Sequence, residues 1–164
     1  VDNLKGTKDA LAGVSGIKVV EIDDTADSNV AATNIGAALQ AHSDVVGIIG
    51  QQAYTAVGAA TAVREAGKQG EIVIIGRDRD AATLELVKNG EVAASYAQNS
   101  YVEGYIATMW LNQYSNGFLR VVEDYNKVGL NPLPNIVDSG SILITKDNAA
   151  LFEKKYEYEV TAQA

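Results

Sequence analysis

The sequence has no cysteine and a single histidine, His42. Disulfides and thiolate metal sites are therefore excluded, and a histidine-based zinc site or a His-dependent triad lacks members. No apolar run is long enough to span a bilayer, and the opening "VDNLKGTKDAL" lacks the apolar stretch of a signal peptide. Basic residues are in the minority, 13 against 21 acidic, and the formal net charge of −8 argues against nucleic acid or an anionic membrane as partner. Several motifs are also missing. No Gly-x-Gly-x-x-Gly follows a strand, "GIIGQQ" puts the wrong residues at such a turn, and there is no Walker A loop. "SGS" at 139–141 is not a nucleophile elbow. What remains is 164 residues, 47% hydrophobic and 21% charged, enough for one domain with one core.

Short apolar runs alternate with longer amphipathic stretches. "IKVVEI" (17–22), "VVGIIG" (45–50), "IVIIG" (72–76) and "VAASYA" (92–97) read as strands buried on both faces, with "SILIT" (141–145) as a fifth at an edge or crossover. Helical spacing covers 28–41, with a stripe of Ala31, Ile35, Ala38 and Leu39. It also covers 53–67, whose stripe Ala56, Ala60, Val63 and Ala66 is small enough for close packing on a sheet. In 80–89, Asp80 suits the N-cap, Leu84 and Val87 face inward, and Gly90 suits an αL C-cap. "YVEGYIATMWLNQY" (101–114) is apolar on more than one face, and a last helix is expected over 147–157, capped by Asp147 or Thr145. Residues 115–140 hold both prolines, Pro132 and Pro134, and read as a short helical piece near 118–127 followed by an extended connection. The fold class is thus α/β, a parallel sheet flanked by helices on both faces and joined by right-handed crossovers.

Ligands of such sheets bind outside the carboxyl ends of the strands. Asp23–Asp24, Gln51–Gln52, Asp78 and Gln98 all fall there. Within "EIVIIGRDRD" (71–80), Asp80 reads as a helix cap, and Arg77 and Arg79 as solvated residues or partners of local acids. Asp78 is different: a carboxylate directly after a buried strand and a glycine can accept two hydrogen bonds from vicinal hydroxyls. Gln52 and Gln98 offer the mixed donors and acceptors that a neutral, hydroxyl-rich ligand needs. The acid pair in "VVEIDD" and the lysine in "LITKD" also suit a receiver-like signalling domain. There, however, the third strand should end in a phosphoacceptor aspartate, and "VVGIIGQQ" ends in glutamines.

The order of these segments resembles the carboxyl-side lobe of type 1 periplasmic binding proteins, in particular sugar-binding receptors of ABC transporters. "LKGTKDALAG" is similar to the helix after the first interlobe hinge. "LQAHSDVVGIIGQQAYTAVGAATAVREAGKQGEIVIIGRD" resembles the core in which one strand ends in Asn-Asp, a helix carries Ala-x-Gly-Ala, and the next strand delivers Gly-x-Asp. "VKNGEVAASYAQNSYVEGYIA" is similar to the strand ending in Ala-Gln-x-Pro, and "VDSGSILITKDNAALFE" to the closing stretch.

The resemblance implies a sugar-binding, non-enzymatic lobe with no cofactor or resident metal. It places the ligand aspartate on Asp78 and the hinge glutamine on Gln98. Gln52 stands where the family has asparagine, and Ala53 where an aspartate is frequent. Asn3 aligns with a frequent arginine and is a further candidate contact, while Ala26 falls near the aromatic that stacks on pentoses. His42, in "AHSD", is expected at a helix end, where a cation favours the dipole. The resemblance also implies a single lobe over 1–164 whose amino-side partner lobe is absent. Residues 99–137 then pack with that missing lobe or form a partner-contacting segment, with 101–114 able to support a homodimer; an ordinary buried helix is the plainer alternative. The intact receptor would be periplasmic, or extracellular and membrane-associated, and would present its ligand to a permease. A LacI-type transcription regulator carries the same lobe as an effector-binding module, but usually with a Pro-x-Asp before the strand, which "GKQGEIVIIGRD" lacks.

Overall fold

Strand and helix alternate as the apolar pattern requires in a computed structural model that describes residues 2–119 and 122–153. In chain order the elements are α1 (Asp2–Leu11), α2 (Ser28–Ala41), β1 (Gly47–Ile49), α3 (Thr55–Glu65), β2 (Val73–Arg77), α4 (Ala81–Asn89), β3 (Ala94–Gln98), α5 (Ser100–Ser115), α6 (Tyr125–Val128) and β4 (Ser141–Thr145). The strands form one mixed four-stranded sheet, ordered β1-β2-β3-β4. β1, β2 and β3 run parallel, with Ile48 opposite Ile74 and Ile75 opposite Ala94. The described chain divides after Ala97 and after Ile142 into two compact units.

In the first unit, local chemistry starts and stops the helices. The Asp27 carboxylate accepts from the Asn29 and Val30 amides ahead of α2. Asp80 accepts from the Thr83 amide, and Gly90 ends α4 at φ 81°. His42 is the C-cap of α2, donating its amide to the Ala38 carbonyl. The core is built from Ala31, Ile35 and Leu39 of α2, Ala56, Ala59, Ala60 and Val63 of α3, Ile74, Leu84, Val87, Val92 and Ile144. Small residues let these layers approach closely. A Cβ on Gly58 would stand 2.4 Å from the Ala31 Cβ and 2.6 Å from the Ser28 carbonyl oxygen, and one on Gly76 would stand 3.0 Å from the Ala56 Cβ. Lys88 lies between Glu153, at 2.6 Å, and Glu85, at 3.3 Å, which tie α4 to a 3-10 turn at Ala149–Phe152. The hydrogen bond to Glu153 and then that to Glu85 raise its pKa above the usual lysine value.

Three expectations are corrected. Residues 17–22 are not a strand; all six are exposed, with Ile17, Val19, Val20 and Ile22 between 40% and 46%. An apolar run becomes a strand only by pairing, and among the described residues no backbone hydrogen bond joins this run to another segment. The last helix is only the 3-10 turn: Asn148 holds the Thr145 amide and the Leu143 carbonyl, closing a turn instead of a helix start, and the part beyond 153 lies outside the described residues. The helical piece of 118–127 shrinks to α6, capped by Asp124 and stopped by Gly129 at φ 67°.

The second unit is built on α5, started by Asn99, whose side chain accepts from the Val102 amide. Tyr101 and Tyr105 stack with ring centroids 6.4 Å apart, the Tyr125 hydroxyl donates to the Leu119 carbonyl, and the Ser139 hydroxyl to Glu103. No residue of α5 is buried, so it is not an ordinary core helix.

The α2–α3 contact yields a test. Gly58→Ala should lower stability by about 1–3 kcal/mol, because the methyl meets backbone and a buried methyl. Gly36→Ala, where nothing lies within 4 Å, should raise it by about 0.5–1 kcal/mol. Urea unfolding of both variants measures the difference.

Candidate ligand-binding site at the strand ends

β1 and β2 deliver their carboxyl ends side by side. The Gly50 amide donates to the Ile75 carbonyl at 2.8 Å, carrying the ladder one residue past β1. Gln51 and Gln52 follow, and α3 begins at Thr55, whose amide donates to the Gln52 carbonyl. Gln51 is anchored from two sides. Its Nε2 donates to the Thr7 hydroxyl at 3.0 Å, and its carbonyl accepts from Arg77 Nη1 at 3.0 Å. Its Oε1 is buried with no partner among the described residues. Gln52, by contrast, is exposed.

Asp78 leaves β2 at φ 72°, the left-handed region that most side chains avoid and aspartate tolerates. Its backbone is clamped there: the amide donates to the Tyr96 carbonyl at 2.8 Å, and the carbonyl accepts from the buried Ser95 hydroxyl at 2.6 Å. Among the described residues no hydrogen bond or ion pair engages its half-buried carboxylate. A rigidly placed carboxylate with open lone pairs is a receptor for hydroxyl donors.

Asp80 is the helix cap that the sequence indicated, its second oxygen accepting from the Thr83 hydroxyl at 2.8 Å. Asp23 and Asp24 hold the amides of Thr25 and Ala26, and Asp24 also accepts from the Thr55 hydroxyl. That use of the acid pair is structural. Asn3 is exposed in the first turn of α1; the Thr7 hydroxyl donates to its carbonyl, so its link to Gln51 runs through backbone. Gln98 closes β3 and opens the second unit, so the first-unit site is built from Asp78, Gln51 and Gln52 without it.

Arg77 is a correction. It is not a solvated residue: besides holding the Gln51 carbonyl, its guanidinium lies 5.7 Å from the centroid of the Tyr96 ring. The Tyr96 hydroxyl in turn reaches the Gly50 carbonyl at 3.4 Å. The signal lay in parallel register, which sets Arg77 opposite Tyr96. Among the described residues no three potential metal ligands cluster, and no helix is long and apolar enough to cross a membrane.

A profile of the periplasmic binding protein domain matches residues 2–118. The chain belongs to the periplasmic binding protein family. It is 30% identical to the sugar-binding protein of a sugar ABC transporter from Bacillus halodurans, over 90% of this chain and 50% of that one, with a TM-score of 0.77. It is 29% identical to an arabinose-binding protein from Geobacillus stearothermophilus, over 79% and 43% of the two chains, with a TM-score of 0.70. A glucose-galactose-binding protein from the same organism is 25% identical over 88% and 48%, with a TM-score of 0.73. The chain therefore spans about half the length of the structures it matches. No curated protein matches it.

The arginine clamp is testable. Arg77→Lys keeps the charge but loses the planar fork and its stacking on Tyr96. Stability should fall by about 0.5–1 kcal/mol, and the Gln51 and Gln52 amide resonances should move while those of α4 stay in place.

Proposed function

We propose that this chain is one wall of the sugar site in a solute-binding protein of an ABC transporter. The observation that carries this reading is Asp78, held in the left-handed region by bonds to its backbone alone, with its carboxylate open at the ends of the strands. Vicinal hydroxyls of a sugar are the donors that match it, and the exposed Gln52 amide adds one donor and one acceptor. The relatives described as sugar-binding proteins support the same ligand class. The chain works without catalysis, since the site pairs no nucleophile with a base. In the intact receptor, outside the cytoplasm, a second wall closes over the sugar and the closed form is recognised by a permease. The exposed tyrosines of α5, Tyr101, Tyr105 and Tyr114, belong to a surface that continues into that second half.

The test is an amide NMR titration with a panel of pentoses and hexoses, on the parent chain and on Asp78→Gly. Glycine relieves the left-handed strain, worth up to about 1–2 kcal/mol, against about 0.4–1 kcal/mol of added unfolded-state entropy. Stability should therefore stay within about 1 kcal/mol of the parent. Sugar-induced shifts should cluster at Asp78, Gln51 and Gln52 in the parent, with affinity falling at least about tenfold in the variant, as expected for a lost charged hydrogen bond. Equal affinity in the two chains would refute the assignment.

A further inference from the structure

We propose that Asn116 is a site of spontaneous covalent modification, deamidating at the Asn116–Gly117 bond, while the same dipeptide at Asn89–Gly90 is protected by the fold. The proposal is independent of the sugar site.

Two asparagines of the sequence, Asn89 and Asn116, are followed by glycine. With no side chain on the following residue, nothing shields its nitrogen from the asparagine carboxamide. In the reaction the Gly117 nitrogen loses its proton to a solvent base and attacks Asn116 Cγ. The bond from Cγ to the side-chain nitrogen breaks, and that nitrogen takes up a proton and leaves as ammonia. Water opens the resulting five-membered succinimide at one carbonyl or the other, giving aspartate or isoaspartate. The sum is one water consumed and one ammonia released.

The two sites are matched locally. Each asparagine is exposed at the carboxyl end of a helix, α4 or α5, and each glycine is left-handed, at φ 81° and 72°. Each glycine amide is bonded into its helix, Gly90 to the Val87 carbonyl and Gly117 to the Tyr114 carbonyl, both at 3.1 Å. The next amide closes the same longer bond, Glu91 to the Leu86 carbonyl and Phe118 to the Gln113 carbonyl, both at 3.0 Å. The carboxamides are held in parallel ways, Asn89 Nδ2 on Glu85 at 3.3 Å and Asn116 Nδ2 on the Asn112 carbonyl at 2.8 Å. A nitrogen that donates into its own helix is not free to attack, so either reaction waits for the last turn to open.

What differs is what that opening disturbs. α4 buries Thr83, Leu84 and Val87, and Val92, two residues past Gly90, is fully buried as well. Lys88, beside Asn89, is paired with Glu85 and Glu153. Freeing Gly90 pulls on side chains in the core, and exposing one buried valine shifts such an equilibrium by about tenfold or more. No residue of α5 is buried, and Phe118, next after Gly117, is 76% exposed. The Tyr114 and Tyr125 rings meet at 6.4 Å near this turn, but Tyr114 is itself 49% exposed. Opening there uncovers little that water does not already reach. The products do not restore the turn: a carboxylate opposes the dipole at a helix carboxyl end, and it has no Nδ2 to offer the Asn112 carbonyl.

The experiment follows the full chain in neutral buffer by peptide mapping and mass spectrometry, which reads the exchange of amide for acid at each site. A parallel sample in concentrated urea gives the rate of each site with both helices unfolded. In buffer Asn116 should deamidate faster than Asn89, and this preference should exceed the one in urea by more than about tenfold. Isoaspartate should accompany aspartate at position 116, the mark of the succinimide. A preference in buffer that falls short of that margin would overturn the proposal. So would faster loss of the amide at Asn89, an Asn116 that stays intact in buffer while urea releases both, or a product at 116 free of isoaspartate. No sugar is added, so the outcome does not bear on the Asp78→Gly titration.

Discussion

The contact between α2 and α3 is the constraint on which the strand ends depend. Gly58 sits against Ala31 and the Ser28 carbonyl, so the two helices meet almost backbone to backbone. Ala56 of the same helix lies against Gly76 of β2. Nothing larger fits at either point, and interiors this dense transmit displacement instead of absorbing it. The start of α3 is therefore set against the end of β1, where a Cβ on Gly50 would stand 3.0 Å from Thr55. Gln51 and Gln52 occupy the short passage between those two fixed points. Their position follows from glycine and alanine packing well below them.

Asp78 shows a second layer of the same logic. A left-handed aspartate persists only where its surroundings over-determine it. Here the Ser95 hydroxyl and the Tyr96 carbonyl grip the backbone from β3, leaving the carboxylate outside the network that holds it. The division matters chemically, because a carboxylate occupied by its own scaffold has no lone pairs to offer. Arg77 makes the complementary choice. It is one of the two cations that flank Asp78 in sequence, yet it turns to the Gln51 carbonyl and the Tyr96 ring, and no ion pair neutralises Asp78 among the described residues.

Much of this was legible in the sequence because it rests on short-range rules. Residues 28–41 form a helix over the range that the spacing indicates, and Asp80 and Gly90 cap α4 as their chemistry dictates. The apolar runs at 45–50, 72–76, 92–97 and 141–145 all contain strands. What the sequence hid depends on pairing across the fold. Arg77 finds its role only through the β2–β3 register, and Thr7 becomes a ligand of Gln51 through contact over a separation of 44 residues. The run 17–22 is the instructive failure. Its composition reports a strand correctly as a tendency, but a strand is a property of two neighbours, and hydrophobicity does not say which polypeptide provides the second.

The same dependence on neighbours governs the passage that carries Gln52. Gln51 and Gln52 hang from the end of β1, a strand of three residues paired on one side only. Asp24, at the end of 17–22, is bonded to Thr55 just beyond those glutamines. The passage that carries Gln52 is therefore held between the end of β1, through the Gly50–Ile75 bond, and the Asp24–Thr55 bond at the start of α3.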